Sequence, residues 1–169
     1  KYDLKEAAEV VKSENRRVAK LIGINPASRT TTVKPSGTSS CVLGTSSGIH
    51  AWHNDFYLRR IRLGKNEALY QHLAEHHPEL VEDEYFRPDE MAVVEIPQAA
   101  PEGSILRTES PSELLERVRR FNTEWVHAGH VEGQNTHNVS CTISVKDDEW
   151  EMVGEWMWKN KDHYNGLSV

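Results

Sequence analysis

The chain has 169 residues, 37% apolar and 27% charged, with a net charge of −6. That is long enough for a sizeable core and has the balance of a globular, rather polar protein. The acidic balance argues against direct nucleic-acid binding by charge, and no apolar run approaches the ~20 residues of a membrane span. The charged, amphipathic start carries no apolar signal region. The two cysteines, Cys41 and Cys141, do not make a disulfide scaffold and fit a reducing compartment, so the expected location is cytoplasmic. The chain opens on Lys1 rather than Met and closes on Gly166–Leu167–Ser168–Val169, which reads as the beginning of a strand. Residues 1–169 are therefore expected to be one segment of a larger domain, cut at both ends.

In chain order, Leu4, Ala7, Ala8, Val11, Val18 and Ile22 fall at helical spacing and predict a helix from about Asp3 to Ile22. Gly23 and Asn25–Pro26 stop it. Thr30 to Lys34 reads as a β-branched strand. Residues 44–55 form a glycine-bearing loop with His50, Trp52 and His53. Phe56 to Leu63 fits a strand or a helix. Asn66 to His76 reads as a helix closed by Pro78, and Met91 to Ile96 as a strand ended by Pro97. Ser110 or Ser112 caps a helix running to about His127, with Leu114, Leu115, Val118, Phe121 and Trp125 inward. Val139 to Val145 alternates apolar with Ser140, Thr142 and Ser144, a half-buried strand. Asp147 or Asp148 caps a last helix with Trp150, Val153, Trp156 and Met157 inward. This alternation predicts an α/β fold with parallel neighbours and outer crossover helices.

Thr31 to Cys41 is the most informative stretch. A short strand runs into Pro35–Ser36–Gly37–Thr38–Ser39–Ser40, and a short helical segment follows at Val42–Leu43–Gly44. Hydroxyls, a glycine and the first N–H groups of a helix can together hold a phosphate. The same residues also suit a plain capped turn. It is not a Walker loop, because Lys34 precedes the turn. Other candidates have structural readings beside the chemical ones. The nine histidines show no H-E-x-x-H spacing, so no metal is expected. Cys41 and Cys141 fit a redox pair on neighbouring strands or buried apolar thiols. Arg59, Arg60 and Arg62 fit a phosphate contact or a solvated face. Glu149, Glu151 and Glu155 read as solvent-facing.

Lys34–Pro35–Ser36–Gly37–Thr38–Ser39–Ser40, then Ser46–Ser47–Gly48–Ile49–His50, then Tyr57–Leu58–Arg59–Arg60–Ile61–Arg62 resembles the large catalytic subunit of ribonucleotide reductase. The likeness is greatest to the adenosylcobalamin-dependent (class II) kind. Later segments agree in order: Ala100–Pro101–Glu102–Gly103, then His137 to Val145, Glu149–Trp150 through Trp158, and Tyr164 to Ser168. The resemblance implies a C-terminal piece of a ten-stranded α/β barrel, parallel strands with outer helices, built from two half-barrels around a finger loop. It implies that Ser36, Gly37, Thr38, Ser39 and Ser40 bind the substrate's phosphates. It further implies radical reduction of ribonucleotides to deoxyribonucleotides for DNA synthesis, with adenosylcobalamin bound mainly outside this segment and an external thiol reductant such as thioredoxin. The radical cysteine and its carboxylate belong upstream, so no catalytic residue is expected here and the segment alone is expected to be inactive. Two other readings fit the residues: a non-redox nucleotide- or phosphate-binding α/β module, and a bare structural fragment.

Overall fold

The computed structural model describes residues 2–37 and 39–169. They divide into two compact units, one made of the chain up to Ala51 with Thr108–Val169, the other of Trp52–Arg107.

The first unit opens with helix α1, Leu4–Ile22. The Asp3 carboxylate accepts the backbone N–H groups of Lys5 and Glu6, which have no partner inside the helix. Gly23, at φ 74°, turns left-handed and ends it, its N–H returning to the Ala19 carbonyl. Ala8 and Ala19 are the buried positions, so the helix packs closely through small side chains. Beyond it the chain is extended. Val33 bridges Val139 in parallel, and Thr142 bridges Ser168 in parallel. Residues near 33, 139–143 and 168 are thus neighbouring parallel segments, paired through single bridges. Short helix α2 spans Ser39–Leu43.

Helix α4, Pro111–Phe121, is started by a reciprocal capping box: Ser110 accepts the Glu113 N–H while Glu113 accepts the Ser110 N–H. It continues as a widened turn over Asn122–Val126. Helix α5 spans Trp150–Lys159 and forms the crossover between the parallel segments around Thr142 and Ser168. Its Trp156 indole N–H donates to Glu116 of α4 at 2.8 Å. Leu115 and Val118 from α4, Val139 and Ile143 from the central segment, and Val153 from α5 are all essentially inaccessible and meet in one core. Each buries enough apolar surface to contribute about 1.5–3 kcal/mol.

The second unit holds strands β1 (Phe56–Gly64), β2 (Val81–Asp83) and β3 (Met91–Ala99), with helix α3 (Ala68–His76) between β1 and β2. The sheet order is β1–β3–β2 and both pairings are antiparallel. Its two chain ends are joined: the Trp52 N–H donates to the Ile105 carbonyl at 2.8 Å, and the Arg107 N–H to the Trp52 carbonyl at 2.9 Å. Glu84 is buried, and its carboxylate accepts the N–H groups of Phe86 and Arg87, both at 2.8 Å. These bonds, chiefly that from Arg87, hold its carboxyl below the usual range against the opposing effect of burial.

The α/β class and most helices match the sequence expectations; the strands expected at Thr30–Lys34 and Val139–Val145 are extended chain paired only through single bridges, and there are four further differences. Met91 to Ile96 is not a parallel neighbour of the first strand. It pairs antiparallel with β1, because the intervening helix α3 is short and the chain folds back as a compact sheet of its own. Pro97 does not end β3, which runs on to Ala99; β2 stops opposite Val94, so one side of β3 beyond that point needs no ladder bonds from this neighbour. Helix α5 is capped at Glu149 rather than by Asp147 or Asp148, with no side-chain cap bond, and Trp150 at its outer start is half exposed. β2 was not expected at all, since Val81–Glu82–Asp83 offers one apolar side chain.

Cys141 belongs to this core. It is 7% exposed, and burial pushes its thiol up to about 11. A thiol so placed is a small hydrophobe rather than a ready electron donor. In the folded protein at pH 8, Cys141 is therefore expected to resist iodoacetamide until denaturant is added, as read by peptide mass; rapid native labelling would contradict its burial. Gly129 is a packing position of another kind, because a Cβ there would land on the Thr31 side chain. Gly129→Ala is expected to cost about 1–3 kcal/mol in denaturant unfolding. Gly154→Ala, in α5 with open space around it, is expected to be neutral or stabilising by up to ~1 kcal/mol.

Candidate functional site

The hydroxyl-rich turn follows the extended segment that ends near Val33 and leads into α2. Ser36 is its hub. The Ser36 hydroxyl accepts the Ser40 N–H at 2.9 Å and meets the Ser39 hydroxyl at 2.7 Å. The Ser36 carbonyl accepts the Ser40 hydroxyl at 3.2 Å. Ser40 is buried and its polar groups hold the turn, whereas Ser39 and Gly37 are exposed. The Cys41 sulfur donates to the Gly37 carbonyl at 3.6 Å. Thr38 lies outside the described residues. At the far end of α2, the Thr45 N–H donates to the Ser40 carbonyl at 2.9 Å and Gly44, at φ 62°, closes the helix.

A second loop braces the first. The Ser47 hydroxyl accepts the Ser36 N–H at 2.8 Å and donates to the Ser36 carbonyl at 2.9 Å. Sequence reasoning placed residues 46–50 in a functional loop without assigning Ser47 a role. Their spacing of eleven positions carries no local signal for this contact.

The turn lies in a stretch of sequence free of carboxylates. The chain carries 26 Asp and Glu residues, yet none lies between Glu14 and Asp55, a stretch that holds Arg29 and Lys34. A phosphate at the turn would meet no carboxylate from its own part of the sequence.

The other candidates resolve into structural roles. Arg60 pairs with Glu82 and Glu95 across the antiparallel sheet, and Arg62 with Glu84. His137 bonds the Thr31 carbonyl at 3.0 Å and His130 the Gly133 carbonyl at 2.7 Å. His127 is held below the ordinary histidine value by burial first, then by His130 and His163. Among the described residues, no group of three His, Cys, Asp or Glu side chains converges as a metal site would require. Likewise, no described helix is long and apolar enough to cross a membrane.

No protein-family model matches the chain. Individual relatives do. Over 117 residues it is 32% identical to the adenosylcobalamin-dependent ribonucleoside-triphosphate reductase of Euglena gracilis, which covers 68% of this chain and 15% of the relative. Over 149 residues it is 29% identical to the proteins of the same name from Lactobacillus delbrueckii subsp. bulgaricus and Lactobacillus leichmannii, covering 85% of this chain and 18% of each relative. The chain thus spans less than a fifth of the length of these curated relatives. The crystal structure of a B12-dependent (class II) ribonucleotide reductase superposes on 97% of this chain and 23% of that one, with a TM-score of 0.70 at 23% identity. At that identity the match speaks for the fold. In sequence and in fold together, this chain is a partial ribonucleotide reductase catalytic region, most like the adenosylcobalamin-dependent kind.

Proposed function

We propose that this segment works within a longer ribonucleotide reductase that reduces ribonucleotides to 2′-deoxyribonucleotides, and that its turn at Ser36, Gly37, Thr38, Ser39 and Ser40 anchors the substrate's phosphates. The observation that carries the reading is the turn itself: an exposed glycine and hydroxyl held over a buried serine framework, in a stretch without carboxylates. Such a turn offers neutral donors already aimed, so little order is lost when an anion arrives. The relatives' names specify ribonucleoside triphosphates, and a triphosphate is the substrate we assign.

The division of labour follows from the side chains present. The turn fixes where the ribose sits by gripping a remote anionic group, which turns binding energy into orientation. Ser39 and the backbone around Gly37 face the ligand, and Ser40 keeps the turn in shape. No residue described here is assigned to adenosylcobalamin. The buried thiol Cys141 sits in the apolar core with its pKa pushed up by burial, so the radical-bearing cysteine, and with it most of the cofactor's contacts, is assigned to other parts of the longer protein. When bound there, the cofactor supplies the radical. Reducing equivalents come from a thiol reductant of the thioredoxin type.

The test is made in the full-length enzyme. Ser39→Asp places a carboxylate against the phosphates and removes a hydroxyl donor. Bonds to charged groups are worth about 1.5–3 kcal/mol, so the KM for the ribonucleotide is expected to rise ~10- to 100-fold. The thermal midpoint should stay close to that of the parent, because Ser39 is exposed. Unchanged substrate affinity would remove the phosphate role.

A further inference from the structure

The turn that faces the ligand is not held by its own residues alone. Ser47 donates one bond to Ser36 and accepts one, satisfying both backbone polar groups of that residue with a single hydroxyl. A contact of this kind fixes the plane and direction of the peptide groups on either side of Ser36, as a neighbouring strand would.

Ser47 is in turn fixed from two directions. Its carbonyl accepts the His50 N–H at 3.1 Å and meets the His50 Nδ1 at 2.8 Å. The His50 Nε2 accepts the backbone N–H of Thr142 at 3.0 Å. A ring nitrogen that accepts cannot carry the proton, so Nδ1 bears it and donates to Ser47. His50 thereby links the brace to the central segment, where Thr142 also pairs with Ser168. Next to it, Ile49 is buried and its carbonyl accepts Arg117 Nη1 at 3.0 Å. Arg117 is gripped by both oxygens of Glu109, at 3.1 and 2.5 Å, with the two side chains 18% and 10% exposed. Between these anchors Gly48, at φ 62°, lies so close to the chain entering the turn that a Cβ would sit 2.9 Å from the Lys34 carbonyl oxygen.

We infer that Ser47 and His50 are positioning residues for the phosphate turn: they transmit the rigidity of the core to Ser36, so that the donors at Gly37 and Ser39 are set before a nucleotide's phosphates arrive. This rests on the reading of the turn as the phosphate site. A brace that serves stability alone would, on removal, lower the melting point and weaken every ligand of the folded protein alike. A positioning brace makes a narrower prediction, because the part of the ligand that needs the turn is its phosphate tail.

The experiment uses the full-length enzyme with Ser47→Ala, His50→Gln, Ser47→Thr and Ser39→Asp. Each variant is titrated with a ribonucleoside triphosphate and with the matching ribonucleoside, which lacks phosphates, and its melting point is recorded. Ser47→Ala removes the partner of the Ser36 N–H and leaves the Ser36 carbonyl with the Ser40 hydroxyl alone, and it is expected to weaken the triphosphate about tenfold while leaving the nucleoside unchanged. Ser47→Thr, which keeps the hydroxyl, is expected to recover most of the loss. His50→Gln reads the same brace one link further back, with a smaller selective loss, and serves should Ser47→Ala fail to fold. Equal weakening of both ligands, or no weakening of either while Ser39→Asp still impairs the triphosphate, overturns the positioning role alone. Intact triphosphate binding in Ser39→Asp overturns the phosphate reading and this inference with it.

Discussion

The segment from Val139 to Ile143 is the constraint on which the first unit depends. Its apolar side chains at 139, 141 and 143 point inward, at 0%, 7% and 1% exposure, and its backbone pairs in parallel on one side with Val33 and on the other with Ser168. Parallel segments cannot be joined by a tight turn; they need a crossover, and the crossover must bury one face on the segments it connects. Helix α5 meets that requirement through Val153, and α4 through Leu115 and Val118. The helices are amphipathic because they cover this centre.

The same segment reaches the candidate site through its backbone. On the edge that faces Val33 the pairing is a single bridge, in which the Ser140 N–H donates to the Val33 carbonyl, so the next N–H on that edge, of Thr142, is left to donate to His50. The core and the turn are therefore joined through one extended segment. Close packing in the core fixes the segment, and a hydrogen bond from its backbone links it to His50, Ser47 and Ser36. Small polar side chains suit this chain of contacts. Serine loses little side-chain entropy on ordering, whereas a lysine in the same place would lose more and leave its position less defined.

Much of this was legible in the residues. Helical periodicity located α1, α4 and α5, since each turns one stripe inward; α3, which has no buried residue, was read from its closing Pro78 instead. Period-two alternation located 139–143. The turn at 35–40 was legible because Pro, Gly and hydroxyl residues have few backbone roles in common. What stayed hidden was pairing. Nothing local in Met91–Ala99 says that its partner is Phe56–Gly64 in antiparallel register, because burial on one or both faces looks alike in either orientation. β2 was invisible for a related reason: with three residues and one apolar side chain, it is held by pairing with β3 and by the ion pairs of Glu82 with Arg60 and of Asp83 with Lys65. The brace at Ser47 escaped as well. A serine bonding a residue eleven positions away leaves no periodic trace, and only the glycine beside it, at a position where a side chain would strike the Lys34 carbonyl, hints at a close approach. Resemblance to the reductases supplied the phosphate role on which composition was undecided.

On the proposed reading of the turn as a phosphate site, its form bears on how it would bind. A cluster of lysines would attract phosphate from a distance, but its grip would be diffuse and strongly weakened by salt. Here the donors are hydroxyls and peptide N–H groups, and the nearby cations Arg29 and Lys34 are exposed; Arg29 is engaged with the Asn135 carbonyl. Binding through such neutral dipoles is short-ranged and directional. It favours a ligand that is placed over one that is merely held. For chemistry at a ribose several bonds from the phosphates, direction matters more than strength: a small rotation at the anchor becomes a larger displacement at the sugar. On that reading, a turn of neutral donors stiffened by Ser47 would meet that requirement.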